Sequence, residues 1–509
     1  MDAIAAHAAA KPQTPAIVEG DRQVTWAAFH DARNRLAHAL AGLGLRAGEH
    51  LIVYAHNSTE YMLAGAATRA VGAIAVPMNH RLTPDEVAYI LDDSDAAIVC
   101  VGDRFVPTAE AVRERAPRVR HWITLGRERR PWARAITDLI DAGDPAGVPV
   151  DTSGNVGGSM IYTAGTTGKP KGARRRVVDQ SALLPRLKAF DLARPHVHLA
   201  AGPLYHSAPG AFATYTHVFG GTVVLMPKFD AEEALALIAK HRVTSTFMAP
   251  ILLKRIADLP AEVRKRYDVS SMQVIVVAAA PCPMKVKEDI LGYFGPVLYE
   301  FYGSTELGMN TLLRPEDVLR KPGSCGRAMP GTELAVLGPD GTPLPAGEPG
   351  ELVIRRYEGV FDEYYKKAEA TAQTERGDGW LSVGDVAWID ADGFVYICDR
   401  LRDMIISGGV NIYPAEIEDV LHRHPAVQDV AVFGVPDDTW GERVHAAVQP
   451  RPDSRVTAEE LIRFARERLG DYKIPREVSF HETFPRDAAG KLLKRVLREP
   501  YWAGRASRV

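Results

Sequence analysis

Tyr162-Thr163-Ala164-Gly165-Thr166-Thr167-Gly168-Lys169-Pro170-Lys171-Gly172 gathers glycines, hydroxyls and two cations into one short run. Glycines let backbone N–H groups approach an anion with no Cβ in the way, threonine hydroxyls add donors, and lysine supplies a mobile point charge. A polyphosphate needs all three. A Walker A loop has four residues between its glycines and Ser or Thr after its Lys, whereas here Gly165 and Gly168 are two residues apart and Pro170 follows Lys169. That spacing excludes a P-loop ATPase. The strand-like Ser159-Met160-Ile161-Tyr162 leads directly into the run, which predicts a loop at the carboxyl end of a strand, where open α/β sheets hold ligands.

Upstream of this loop, helical and strand-like patterns alternate. Thr25 is a helix cap followed by Phe29, Ala32, Leu36, Leu40 and Leu43 at helical spacing, with Gly42 and Gly44 ending the run. Strand-like 51–55, helical 59–70, strand-like 74–77, helical 84–91 and strand-like 96–101 follow. Such alternation predicts a layered α/β domain with a largely parallel sheet. Downstream, Leu204–Gly210 precedes strand-like 221–226 and a helix capped by Asp230; strand-like 274–277 and 297–301 come next. Short strands split by Gly and Pro from 323 to 400 predict a β-rich subdomain. After 402 the pattern changes again: a helix marked by Ile417, Val420 and Leu421, a strand over 427–434, and a helix opened by a Thr457/Glu460 capping box. The expected architecture is α/β: a large N-terminal domain over 1–401 containing the β-rich part, and a small mobile α+β lid over 402–509.

Composition sets the outer bounds. The chain has 509 residues, 46% hydrophobic and 25% charged, with a formal net charge of −3, which marks an ordinary globular protein and gives no sign of a nucleic-acid or membrane surface. Cys100, Cys282, Cys325 and Cys398 lie far apart with no CxxC pair, so reduced structural thiols are expected. Asp2 stands where a signal peptide has Lys or Arg, and no apolar run reaches the length of a membrane span. A cytoplasmic protein is the expectation.

The loop, together with Ala278-Ala279-Ala280-Pro281, Tyr302-Gly303-Ser304-Thr305-Glu306, Gly384-Asp385, Asp399-Arg400-Leu401-Arg402-Asp403, Ser407-Gly408-Gly409-Val410-Asn411 and the segment from Pro485 to Lys491, occurs in the order of a known motif set. Over essentially its whole length the chain resembles the adenylate-forming superfamily of acyl-CoA synthetases, aryl-CoA ligases, non-ribosomal adenylation domains and firefly luciferase. The resemblance implies ATP, Mg²⁺ and coenzyme A as cofactors and a small carboxylic acid as the other partner, with no nucleic acid and no membrane segment. By the same resemblance Thr163, Ala164, Gly165, Thr166, Thr167, Gly168, Lys169 and Lys171 surround the phosphates, and Ala279, Ala280 and Pro281 form the adenine turn. Tyr302, Gly303, Ser304 and Thr305 belong to the nucleotide motif that ends in Glu306. Magnesium takes hard oxygen ligands and borrows one or two carboxylates, which is the role implied for Glu306. Asp385 and Arg400 fall at the ribose, where one carboxylate can accept from both hydroxyls of a cis-diol. His206 falls at the carboxylate pocket, Gly408 and Gly409 at the turn facing the nucleotide during thiol attack, Lys491 at the mobile catalytic cation, and Arg402 at the hinge of the lid.

Oxide is a hopeless leaving group, so a carboxylate must be activated before it acylates anything. The family does so in two half-reactions, through acyl-AMP and then the CoA thioester. Alternatives within the resemblance are a ligase that only thioesterifies pre-formed acyl-AMP and an adenylating enzyme that loads another acceptor; outside it stands a non-catalytic nucleotide-binding protein. Ala164, Val383 and Ala489 depart from the family by each lacking a hydrogen-bonding side chain. The stretches implied to line the acyl pocket, 206–216, 247–251, 278–281 and 302–310, carry no Asp or Arg, which predicts a hydrophobic fatty, polycyclic or aryl acid.

Overall fold

The structure, a computed structural model, describes residues 2–149, 158–163, 170–176, 180–357, 360–400, 403–407, 410–437, 439–452, 454–486 and 492–503, with the backbone alone at 180, 399, 400 and 411. A large N-terminal α/β domain is followed by a smaller C-terminal α+β domain.

Two sheets build the larger part. The first runs Glu363–Tyr364, Lys171–Arg175, Gly158–Thr163, Ile74–Pro77, His50–Tyr54, Ala96–Val101, His121–Thr124, Arg134–Ala135, and is parallel from Gly158–Thr163 onward. His50–Tyr54 and Ala96–Val101 are buried at every position, as a parallel strand covered on both faces must be. The second sheet aligns Leu298–Glu300, Val274–Val277, Ser245–Met248, Val197–Ala200, Thr222–Leu225 and Pro15–Glu19 in parallel, with Arg22–Thr25 antiparallel at its edge. Helix Trp26–Gly42 starts where expected, with the Thr25 hydroxyl accepting from Ala28 N, and buries Phe29, Leu36 and Leu40. Helix Pro84–Asp93 runs two residues past its expected end and opens with a Thr83/Glu86 capping box.

Three features differ from the sequence reading. Helix Ser207–Val218 occupies a block read only as a lead-in to a strand. Pro209 and Gly210 mask its helical periodicity, yet a proline in the first turn costs no hydrogen bond, because the first N–H groups of a helix have no intrahelical partner. The strand after the phosphate loop is the second: Lys171–Arg175 returns antiparallel to Gly158–Thr163, with Thr163 opposite Lys171. A strand, not the helix of a P-loop, therefore follows the loop. Third, Glu363–Tyr364 lies within the β-rich stretch but pairs with Lys171–Arg175 as the edge of the first sheet. Most of that stretch forms an antiparallel sheet of Leu334–Leu337, Gly350–Arg355, Asp385–Ile389 and Val395–Arg400, with Trp380–Leu381 beside Gly350–Arg355, while Arg327–Ala328 pairs with Thr311–Leu312.

The C-terminal sheet holds Val410–Ile412, Ile405–Ser407, Gly441–Pro450 and Val427–Asp437, with Glu477–Phe480 parallel to Gly441–Pro450. Helices Pro414–His422 and Ala458–Arg466 pack Ile417, Leu421, Leu461 and Ala465 into its core. The Thr457/Glu460 capping box forms as expected. All four cysteines are free. Among the described residues no helix is long and apolar enough to cross a membrane.

Candidate active site

Glu306 is the carboxylate at the centre of the site. It lies in the turn of a tight hairpin in which Gly303 pairs with Met309 and Ser304 with Gly308. Any Cβ at Gly303 would run into the Gly308 carbonyl oxygen, so the hairpin requires glycine there. The Glu306 residue is 7% exposed, and its Oε1 accepts from the Thr163 hydroxyl at 3.1 Å and the Tyr364 phenol at 2.8 Å. Thr163 is the last residue of the strand entering the phosphate loop, and Tyr364 lies on the edge strand beyond its return. Among the described residues no Lys or Arg forms an ion pair with Glu306, so neutral donors position it, and the Arg175 guanidinium is a charge that faces it from beyond contact. Lone pairs on a carboxylate held this way suit a hard divalent cation, and the site therefore fits the Mg²⁺ that ATP chemistry implies. Lys171 Nζ lies 5.4 Å from the Tyr364 ring centroid.

The carboxylate expected at the ribose is buried as well. Asp385, 7% exposed, begins its strand opposite Arg400 in register, and its Oδ2 accepts from the Tyr302 phenol at 2.6 Å. That bond ties the Tyr302–Glu306 motif to the β-rich sheet. In Tyr302→Phe the loss of one hydrogen bond to a charged acceptor, about 1.5 kcal/mol, should raise the KM for ATP roughly tenfold and leave kcat nearly unchanged. ATP titration of the initial rate checks this, and an unchanged KM would show that the bond does not orient Asp385.

At the expected adenine turn, Ala279 adopts φ of +79°, the left-handed region, directly after strand Val274–Val277. An L-residue there costs about 1–2 kcal/mol. Ala279→Gly removes that cost and gives back about 0.4–1 kcal/mol through the freer unfolded chain. The unfolding midpoint should rise, with KM for ATP unaltered; a lower midpoint would mean that the Ala methyl contributes packing. Ala280 and Pro281 continue the turn, and Thr305 lies between Ser304 and Glu306.

His206 is the residue immediately before helix Ser207–Val218. Its ring lies 4.2 Å from that of Tyr205, which meets His80 at 5.0 Å, and His80 in turn meets His56 at 4.5 Å. Burial, reinforced by His56, Arg81 and His206, lowers the pKa of His80 to about 4, so this wall of rings carries no charge from His80 at neutral pH.

Several contributors escaped sequence reasoning. Arg174, Arg175 and Arg176 read as a basic run after the phosphate loop, but strand alternation splits them. Arg174 pairs with Glu363 at 3.3 Å and Arg176 with Asp362 at 3.1 Å. Arg175 points the other way, donating to the Ser304 carbonyl at 3.2 Å and reaching the Ser207 hydroxyl at 3.5 Å. Period-two alternation applied to this run would have found it. Arg186, on helix Gln180–Ala189, donates to the Met309 carbonyl at 2.6 Å and the Thr332 hydroxyl at 2.9 Å, and its guanidinium lies 4.0 Å from the Tyr357 ring centroid. No local signal marks Arg186, Tyr357 or Tyr364.

The expected positions Ala164, Gly165, Thr166, Thr167, Gly168, Lys169, Arg402, Gly408, Gly409 and Lys491 lie outside the described residues, as does the Arg400 side chain.

Comparison with known proteins places this geometry. Residues 4–365 match the family model described as AMP-binding enzyme, and 416–491 match its AMP-binding enzyme C-terminal domain. A long-chain-fatty-acid–CoA ligase of Mycobacterium tuberculosis is 35% identical over 504 residues, covering 97% of both chains. A feruloyl-CoA synthase of an Amycolatopsis species is 35% identical over 495 residues, covering 96% of both. Among solved structures, an amide bond synthetase of Marinactinospora thermotolerans superposes with a TM-score of 0.87 at 29% identity, covering 98% of this chain and 99% of that one. The chain belongs to the AMP-binding, adenylate-forming enzyme family.

Proposed function

We propose that the protein is an acid–thiol ligase that makes a CoA thioester from a hydrophobic carboxylic acid through an acyl-AMP intermediate. The observation that carries this reading is the buried Glu306, held by two neutral hydroxyls beside the paired ends of the phosphate-loop strands. Relatives named as CoA ligases cover nearly the full chain and supply the thiol acceptor by analogy.

This chemistry needs no covalent nucleophile from the protein. In the first half-reaction a carboxylate oxygen of the acid attacks the α-phosphorus of ATP, the bond to the β-phosphate bridging oxygen breaks, and pyrophosphate leaves with that electron pair. Charge grows on the phosphates, so placement and electrostatics dominate. Thr166, Thr167, Lys169 and Lys171 hold the β- and γ-phosphates, Lys491 faces the oxygen shared by acid and phosphate, and Asp385 with Arg400 holds the ribose. Glu306 is the residue to hold Mg²⁺, which would neutralise the same charge. In the second half-reaction the CoA thiolate attacks the acyl carbonyl carbon and AMP leaves. Lys491 must vacate the site for the pantetheine arm, with Arg402 as the hinge and Gly408 and Gly409 lining the new channel.

Products decide the reading. Incubation with ATP, Mg²⁺, CoA and an acid panel should give AMP, pyrophosphate and acyl-CoA in equal amounts; formation of ADP and phosphate would overturn it. A second reading, transfer of the acyl group to an amine, is favoured by the amide bond synthetase among the structural neighbours. Replacing CoA with amines in the same assay separates the two.

A further inference from the structure

Lys287 and Glu300 form the one ion pair among the described residues in which both side chains are less than a tenth exposed, Lys287 at 2% and Glu300 at 9%. Arg33, 3% exposed, pairs instead with an Asp2 that is 21% exposed. Leu298, on the same face of its strand as Glu300, and Val286, beside Lys287, belong to one apolar core cluster. Cys282 and Cys325 are the other titratable groups that face the pair, and burial raises the pKa of both thiols, so each charge has only the other as counter-charge. Burial opposes the Lys287 charge, but the Glu300 carboxylate outweighs it and holds the ammonium above the ordinary lysine value. An apolar pair of similar volume is often as stable as a buried ion pair, so packing alone does not require two charges here. What the ion pair adds is a fixed distance and direction between its two elements.

Those elements are the ones from which the two expected nucleotide motifs leave the sheet. Strands Val274–Val277 and Leu298–Glu300 are parallel neighbours, and their last residues, Val277 and Glu300, are register partners. After Val277 the chain makes the turn through Ala279 and Pro281 and returns as helix Met284–Phe294, with Lys287 in its first turn. After Glu300 it passes through Phe301, whose N–H donates to the Val277 carbonyl at 3.1 Å, to Tyr302, whose phenol donates to Asp385. Ala279 sits at φ of +79°, so the turn is not a conformation its own residues favour, and its shape must be imposed from outside. Lys287 anchors the helix that closes the turn, Glu300 ends the strand that feeds Tyr302, and the ion pair joins the two.

We propose that the Lys287–Glu300 ion pair is a positioning element of the nucleotide site, fixing the expected adenine turn against the Tyr302 segment so that both meet ATP in one register. The inference rests on the ligase reading above and adds to it two residues that act through Ala279–Pro281 and Tyr302. The acid and CoA bind elsewhere in that reading, so loss of the pair should fall on ATP and spare them.

The test combines ATP binding by calorimetry, acid-dependent ATP–pyrophosphate exchange and thermal unfolding in Lys287→Met and in the double variant Lys287→Met/Glu300→Leu. Lys287→Met leaves a buried carboxylate unpaired, so it should lower the unfolding midpoint and raise the Kd for ATP by about tenfold or more. The double variant leaves no unpaired charge, and its midpoint should return to the wild-type value or above it. Its Kd and KM for ATP should nevertheless stay about tenfold raised, while kcat and the KM for the acid stay within about threefold of wild type. A pair that serves stability alone would give back ATP affinity together with the midpoint. Should Lys287→Met fail to fold, the double variant decides. Wild-type ATP affinity in a folded double variant, or equal changes in the KM for ATP and for the acid, would overturn the proposal. A double variant that fails to fold would also overturn it, because the pair would then be required by the fold itself. Wild-type protein that binds ATP but shows no exchange with any acid would instead overturn the ligase reading.

Discussion

Glu306→Gln is expected to lower kcat/KM for acid-dependent pyrophosphate release about 1000-fold while leaving the fold intact. Gln is isosteric and its amide oxygen can still accept from Thr163 and Tyr364, so the two hydroxyl contacts that position the side chain survive. Only the negative charge is lost, and with it the hard ligand for the divalent cation. Losing roughly 4 kcal/mol of metal-assisted stabilisation of the transition state corresponds to about three decades in rate. Stopped-time assays at saturating ATP and raised Mg²⁺, alongside thermal unfolding, measure both parts. A loss below about tenfold would mean that Glu306 is an internal hydrogen-bond acceptor and not a metal ligand.

Lys491→Ala should separate the half-reactions. Adenylation is expected to fall about 1000-fold or more, because the role proposed for the lysine is to face charge that develops only in that transition state. Thioesterification of synthetic acyl-AMP should change by less than about threefold, since in the proposed mechanism the lid has by then carried the lysine away. Both flanks of the lysine segment belong to the lid: Arg486 bridges Leu492, and Phe484 and Leu492 pack on Ala431, Phe433, Val435 and Ala447 of its sheet. Equal loss in both half-reactions would contradict lid alternation.

Much of this architecture was legible because burial writes periodicity into sequence. Helix Thr59–Ala70 and strands Ile74–Pro77, Ala96–Val101 and Val274–Val277 appear with the expected bounds, since each is nearly all apolar or strongly periodic and ends at a turn residue. Helix Ser207–Val218 was hidden by Pro209-Gly210, whose local propensity says turn while the tertiary packing of Phe212 and Ala213 says helix. At the site, motif order pointed to Glu306 and Asp385, but not to what holds them. Tyr364 reaches Glu306 and Tyr302 reaches Asp385 only because the fold brings distant segments together, and no spacing rule encodes that. Arg175 was the exception that alternation could have shown.

The departures Ala164, Val383 and Ala489 bear on the balance between half-reactions. Val383 packs against the apolar cluster of the β-rich sheet and offers no donor there. We propose that the loss of such donors slows adenylation more than thiol attack.

The most direct test of the central claim is a rapid-quench experiment with labelled acid, ATP and Mg²⁺, first without and then with CoA. The account predicts that acyl-AMP accumulates on the enzyme in the absence of CoA, at up to one per active site, and is chased into acyl-CoA with release of AMP when CoA is added. No acyl-AMP on the enzyme together with acyl-CoA formation from acid and ATP, or adenylate that forms but never passes to the thiol, would contradict it.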